Sequence, residues 1–156
     1  MQLNDSWKVY YHHDINNWKI DGYRQICEIK TIQDFWNTVS LIDRLGSFTQ
    51  KHYFIMRHNV LPLWEDKQNY GSWSIKLNIS DLEFVWNKLI KYILGETLIK
   101  ENSKINGISI NVKNNHTCIV KIWTKKLSST TTDQFPKEIL NICKYTTIYK
   151  EHKPEW

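Results

Sequence analysis

Trp64 and Glu65 put a large flat indole beside a carboxylate, inside the run Leu61-Pro62-Leu63-Trp64-Glu65-Asp66. The proline just before them stiffens the backbone and is unsuited to a central strand. That pairing suits a guanine base. Guanine's Watson-Crick edge offers two donors, N1–H and the exocyclic amine, to a single carboxylate, while its face stacks on an aromatic ring. A positive charge on the base, as in 7-methylguanine, adds cation-π attraction to the stacking and opposite charge to the carboxylate's hydrogen bonds. Taken by itself the run is more economically read as a core aromatic at a loop entrance followed by two solvated acids. Only its company in the rest of the chain changes that.

The company is unusual. The 156 residues include eight Trp and eight Tyr, more than a core of this size needs to absorb. The net charge of +5 favours a polyanion such as RNA. Lysine supplies nearly all of the positive charge, with only Arg24, Arg44 and Arg57 besides it, and the abundance of Ile, Asn and Lys fits an AT-rich genome. Cys27, Cys118 and Cys143 are odd in number and widely spaced, so they read as reduced core thiols rather than a disulfide framework or a zinc site. The N-terminal MQLNDSWKVYY is not a signal peptide, and no apolar run approaches a membrane span. A soluble, cytoplasmic, monomeric protein is expected, with the glycosylation sequons at Asn78 and Asn115 left bare. An enzyme using Glu65 or Asp66 as acid or base has no support, since no P-loop, H-E-x-x-H, nucleophile elbow or acidic cluster suited to magnesium is present. No cofactor or metal is implied. His12 and His13 are adjacent and read as ordinary surface or edge residues.

These residues need elements to hold them. Trp7 to His12 and Tyr23 to Ile29 read as strands, with Trp18 on or just after the polar turn Asp14-Ile15-Asn16-Asn17 and so available to a ligand. Thr31-Ile32-Gln33-Asp34 resembles a capping box opening a helix over about 32–43, with Phe35, Val39 and Ile42 on its inner face and Ile32 and Trp36 as an i, i+4 pair beside it. Tyr53 to Arg57 and Trp73 to Leu77 are strands on either side of the Trp64 loop. Ser80-Asp81-Leu82-Glu83 has the form of a capping box, and Leu82, Val85, Trp86, Leu89, Ile90 and Ile93 follow at helical spacing until Gly95. A hairpin runs from Gly107 to Lys113 and from Cys118 to Thr124. On its second strand Cys118, Val120 and Ile122 face inward, so Ile119, Lys121 and Trp123 look outward together. A Ser/Thr-rich loop over 127–133, a short helix from Phe135 to Cys143 and a strand from Thr146 to Glu151 complete the chain.

Laid out in this order, the chain resembles the cap-binding translation initiation factor 4E family. The matching stretches are Trp7, Thr31 with Asp34-Phe35-Trp36, Pro62-Leu63-Trp64-Glu65-Asp66, Gly71-Ser72-Trp73, Trp86 with Leu94-Gly95-Glu96, Gly107 with Asn111-Val112-Lys113, and Ile122-Trp123-Thr124. The resemblance implies an α+β fold in a single domain over residues 1–156: a curved antiparallel β-sheet, helices packed on its convex back, and a cap-binding slot on the concave side. It implies capped mRNA as partner, with Trp18 and Trp64 stacking on the 7-methylguanosine base, Glu65 on the base edge and Trp123 at the methyl group. Lys113 stands at the family's arginine position for the cap phosphates. The family's second phosphate lysine does not align, and Lys121, which has the right face, is the substitute, with Lys125 and Lys126 as further candidates.

The family engages initiation factor 4G or its repressors through the convex face, which here corresponds to Ile32, Trp36, Asn87, Lys88 and Lys91. Asn87 and Lys91 replace apolar positions and Lys88 replaces an acid, so the usual peptide is disfavoured, and the expected partner is an initiation factor 4G-like scaffold or a divergent one. The expected role is in translation initiation or its viral or protist control, the alternatives being a cap-sequestering competitor that does not recruit factor 4G and a non-specific basic RNA-binding domain. The chain opens at Met1-Gln2-Leu3, where the family has a His-Pro-Leu segment, and closes at Trp156, so the family's long C-terminal loop is expected to be absent. Trimming and composition together suggest a viral or protist version, a large DNA virus above all.

Overall fold

The computed structural model describes residues 2–12, 16–44, 52–113 and 116–153. Seven strands form one curved antiparallel sheet: β1 (Gln2–His12), β2 (Tyr23–Thr31), β3 (His52–Arg57), β4 (Gly71–Asn78), β5 (Ile105–Val112), β6 (Thr117–Thr124) and β7 (Thr147–Glu151). Their order across the sheet is β2-β1-β3-β5-β6-β4-β7. Three helices, α1 (Ile32–Arg44), α2 (Ile79–Leu94) and α3 (Lys137–Cys143), cover one face. His13 and the hairpin turn at Asn114 and Asn115 lie outside the described residues, as does the side chain of Ile42.

Strand alternation decides which side chains meet the helices. Trp7, Val9, Ile55, Trp73, Ile75, Leu77, Ile108, Ile110, Val120 and Ile122 all point to the covered face and pack against the inner stripe of α2, namely Leu82, Val85, Trp86, Leu89, Ile90 and Ile93. Each such side chain, fully buried, contributes roughly 1.5–3 kcal/mol, so this layer is what fixes the sheet's register. Cys118 and Cys143 are buried thiols in the same layer, while Cys27 is only half-buried, its Sγ 3.6 Å from Thr38 Oγ1.

The helix termini separate two similar sequence signals. At α1 the reciprocal box forms: Asp34 N–H donates to Thr31 Oγ1 at 3.1 Å, and Thr31 N–H donates to Asp34 Oδ2 at 3.0 Å. At α2 the expected box at Ser80 does not form, because the helix begins two residues earlier than that box requires, at Ile79, with Asn78 as N-cap and no side-chain cap bond. The end of α2 also differs from expectation. Gly95 has φ −80, and the left-handed residue is Glu96, with φ 61. The closing bonds, Thr97 N–H to Tyr92 O at 2.8 Å and Glu96 N–H to Ile93 O at 3.1 Å, are those of a Schellman motif.

A non-glycine residue in that conformation needs compensation. Glu96 receives it from Arg57, which donates to both carboxylate oxygens at 2.6 and 3.0 Å, and from Asn102 Nδ2 at 2.9 Å. Arg57 is itself buried, lies 4.4 Å over the Trp7 ring, and also donates to Asp5 and to the carbonyls of Asn102 and Ile105.

The uncovered, concave face carries a second, smaller apolar cluster of Tyr10, Phe54, Met56, Val60 and Trp123, with Tyr23 against it. The candidate site is built on this layer.

Candidate functional site

Register brings the sequence-predicted residues to one face. His12 stands opposite both Tyr23 and His52, Tyr10 opposite Phe54, Phe54 opposite Ser109, and Ser109 opposite Lys121; Trp123 stands opposite Gly107 and Ser72. Directly opposed residues share a face, so this is a continuous floor of rings, hydroxyls and one lysine. As expected, Lys121 and Trp123 share it with Ile119. The expectation that they look outward needs correction for Trp123, which is only 5% exposed. Phe54 meets it edge-on at 6.1 Å, His152 at 5.3 Å, and its Nε1–H donates to Ser109 Oγ at 2.9 Å. Trp123 therefore offers an edge rather than a stacking face.

Trp18 and Trp64 rise from opposite sides of this floor, and both are accessible, at 49% and 39% exposure. Each leans on a histidine. The imidazole of His12 lies 3.8 Å from the Trp18 ring at 14° between planes, a face-to-face stack that covers one side of the indole. His12 is not the surface residue the sequence suggests: it is buried, and its Nε2–H donates to the Asn17 carbonyl at 2.8 Å, tying the strand end to the turn that carries Trp18. Trp64 is 5.2 Å from His152 at 37°. His152 is locked in turn, Nδ1–H donating to the Asn69 carbonyl at 2.9 Å and Nε2 accepting from the Ser72 hydroxyl at 3.0 Å. Burial pulls the pKa of His152 down, with Lys121 in the same direction, which keeps the ring neutral and suited to that pair of bonds.

The Trp64 loop is shaped by polar side chains of its own. Asp66 accepts from Leu61 N–H at 3.0 Å and from Gln68 N–H at 2.9 Å, so it staples the loop. Asn69 Nδ2 donates to the carbonyls of Leu61 and Leu63, and buried Asn106 donates to Asn69 Oδ1 at 3.0 Å. Trp64 and Glu65 are thereby presented at the tip with their side chains free of the core. Glu65 is exposed, and its charge reaches Tyr23, whose pKa is pushed up to about 12 by burial and then by Glu65. Tyr23 in turn meets the Trp18 ring at 6.4 Å, so the carboxylate faces the Trp18 side of the cleft.

The cations gather at the other end. Lys121 is half-buried, and burial together with the charges of Lys113 and Lys150 depresses its pKa. His52 lies between them and the Trp18 stack; burial, then His12, Lys121 and Lys113, pull its pKa down to about 4. Lys125 and Lys126 lie beyond the end of β6 rather than with this group, Lys126 with its ammonium 5.8 Å over the Tyr70 ring. His12, His52 and His152 are the members of the site that sequence reasoning missed. A period-2 reading of β1 and β3 puts His12 and His52 on the open face, but their opposition needs the strand pairing.

On the covered side, Ile32 and Trp36 are exposed, at 40% and 50%. Lys91 places its ammonium 5.3 Å over the Trp36 ring and Lys88 its own 5.7 Å over Phe84, with Lys88 also 3.7 Å from Glu138; Asn87 is half-buried. Among the described residues no group of His, Cys, Asp and Glu is placed to hold a metal, and no helix is long and apolar enough to cross a membrane.

The family model for eukaryotic initiation factor 4E matches residues 2–155. The chain belongs to the eukaryotic initiation factor 4E family. It is 28% identical over 134 residues to eukaryotic translation initiation factor 4E of Eremothecium gossypii, an alignment covering 80% of this chain and 63% of that protein. It is 31% identical over 112 residues to the initiation factor 4E homolog of Acanthamoeba polyphaga mimivirus, covering 60% of this chain and 41% of the viral protein. The chain thus spans less than two thirds of the length of these curated relatives. Among solved structures, Caenorhabditis elegans eIF4E-3 in complex with the 4E-binding protein Mextli and cap analog superposes with a TM-score of 0.82, at 24% identity, over 97% of this chain and 92% of that one. This establishes the initiation factor 4E fold, the curved antiparallel sheet with helices on its back that the sequence led us to expect.

Proposed function

We propose that this member of the initiation factor 4E family binds the 7-methylguanosine cap of mRNA in its open cleft, as a binding module and not as an enzyme. The observation that carries the reading is the pair of accessible indoles, Trp18 and Trp64, each supported by a histidine and rising from one floor, with exposed Glu65 next to Trp64 and its charge reaching Tyr23. The base stacks between the indoles, Glu65 accepts from N1–H and the amine, and the edge of Trp123 lies at the methyl group. Lys113 and Lys121 take the cap phosphates, with Lys125 and Lys126 further out. The C. elegans neighbour was solved with a cap analog, which supports the same ligand here. Each stacking contact contributes roughly 1–3 kcal/mol and hydrogen bonds to a charged group about 1.5–3 kcal/mol, whereas the lysines add a salt-sensitive component that does not depend on methylation.

The test is tryptophan fluorescence titration with 7-methyl-GTP and with GTP. The parent chain is expected to prefer the methylated nucleotide, and Glu65→Ala to abolish the preference. Trp64→Ala is expected to do the same and to weaken 7-methyl-GTP by roughly 5- to 150-fold. Equal binding of the two nucleotides by the parent chain would overturn the reading.

The convex side favours a divergent partner over the usual factor 4G peptide. Lys88 and Lys91 set ammonium groups over the two exposed rings, Phe84 and Trp36, on which a basic partner segment would meet like charge. Capture of factor 4G by the parent chain would count against this.

A further inference from the structure

We propose that Lys150, on the edge strand β7, takes the first phosphate of the RNA chain beyond the cap's triphosphate, so that the cleft holds capped RNA more firmly than the cap alone. This rests on the cap-binding reading above and extends it to the nucleotide chain.

The placement comes from register. Ser72 stands opposite Trp123 on one side and Lys150 on the other, and Ser74 opposite Lys121 and Ile148. Trp123, Ser72 and Lys150 therefore form one row across the open face, and Lys121, Ser74 and Ile148 the next. At about 4.8 Å between strands and 3.3 Å per residue, the Lys150 backbone lies about 12 Å from that of Lys121, toward the sheet edge. Lys113 lies on the opposite side of Lys121, about 13 Å away along the hairpin by the same spacing, its N–H bonded to the Thr117 carbonyl at 2.9 Å. Lys121 is thus the middle of three cations, and both flanking charges register at its ammonium.

Nothing acidic balances this group: among the described residues none of the three lysines forms an ion pair. Glu151, next to Lys150, alternates to the covered face of the sheet, and its carboxylate is engaged by Tyr70. The floor beside Lys121 consists of the small hydroxyl residues Ser74 and Ser109, which leave room above the strands for a ligand. Three like charges on one face destabilise one another until an anion joins them. Lys113 and Lys121 stand nearest the cleft and meet the triphosphate; Lys150, exposed and farther along the same face, meets the next phosphate. Ile148, 61% exposed one row away on this face, offers apolar surface to the sugar or base attached to it. The occupant is therefore a nucleotide chain, not a longer phosphate tail.

The experiment compares 7-methyl-GTP with a capped trinucleotide on the full chain, for the parent, Lys150→Ala and Lys150→Arg, at two salt concentrations. The parent should bind the trinucleotide more tightly than 7-methyl-GTP, with a salt slope steeper by about 0.7, equal to roughly a 2.6-fold difference in salt response between about 50 and about 200 mM. Lys150→Ala should remove that extra slope and the gain in affinity while leaving 7-methyl-GTP unchanged, and Lys150→Arg should keep both. Survival of the gain in Lys150→Ala, or equal weakening of both ligands, would overturn the proposal. Failure of the parent to bind 7-methyl-GTP would instead remove the cap reading on which it stands.

Discussion

His52 makes the open face sensitive to acid, and the size of the effect follows from its position. Its ring lies 4.4 Å from Phe54 and 5.9 Å from Trp18, with Lys113 and Lys121 on the side away from the stack, and its pKa falls from 6.5 to about 4. Because the folded value is the lower one, the unfolded chain binds the proton more readily. Stability from this group is complete above the unfolded value of 6.5, declines as pH falls toward about 4, and changes no further below that. At 1.36 kcal/mol per unit, the whole window is worth at most about 3 kcal/mol, of which about 2 kcal/mol is lost between about pH 7 and about pH 5. His152, also shifted down, acts in the same direction. The assay is urea unfolding followed by tryptophan fluorescence across this range for the parent and for His52→Gln, which cannot titrate. The variant should lose about 2 kcal/mol less than the parent between the two pH values. An identical acid dependence in both proteins would refute the assignment of the proton to His52.

Two further outcomes follow from the helix ends and the ion pair beneath them. Thr31→Ala should cost about 1 kcal/mol in denaturant unfolding, since the α1 cap bond is made, whereas Ser80→Ala should change stability by less than about 0.5 kcal/mol, since the corresponding bond at α2 is not. Glu96→Ala should cost about 3–5 kcal/mol by leaving Arg57 buried without its bidentate partner; a loss below about 1 kcal/mol in the same measurement would show that Asp5 and the backbone carbonyls suffice.

Most elements were legible because their patterns are local. The α2 stripe reads directly from Leu82 to Ile93, and alternation along β6 separates Cys118, Val120 and Ile122 from Lys121 and Trp123 without any knowledge of neighbouring strands. Two of the misreadings originate in contacts distant along the chain. Glu96 adopts the left-handed conformation expected one residue earlier, at Gly95, because Arg57, thirty-nine positions away, holds its carboxylate. Trp123 is buried on a face that alternation calls outward, because β3 supplies Phe54 and the segment just after β7 supplies His152. The two acids after Trp64 look alike in sequence, yet Asp66 folds back on the loop amides while Glu65 stays exposed, and only loop geometry distinguishes the staple from the free carboxylate.

The two indoles are held by means that differ in range, and this bears on how the cleft is preorganised. Trp18 stacks on a histidine six residues before it, through a turn whose Asn17 carbonyl accepts from the same imidazole, so its support is complete within one short segment. Trp64 leans on His152, eighty-eight positions later, which is in place only when β7 has paired with β4 and its own backbone N–H has bonded the Tyr70 carbonyl. β7 is a five-residue edge strand with a partner on one side only, the kind of element that opens first in native-state fluctuations. Opening of β7 removes His152 from between Trp64 and Trp123 and carries Lys150 away from Lys121 in the same motion. In the proposed complex, base stacking on the Trp64 side and the outer anion contact are coupled through one strand: a ligand that engages both would bind the closed edge more tightly than one that engages either, and RNA held through Lys150 would stabilise the half of the cleft that is less well anchored on its own.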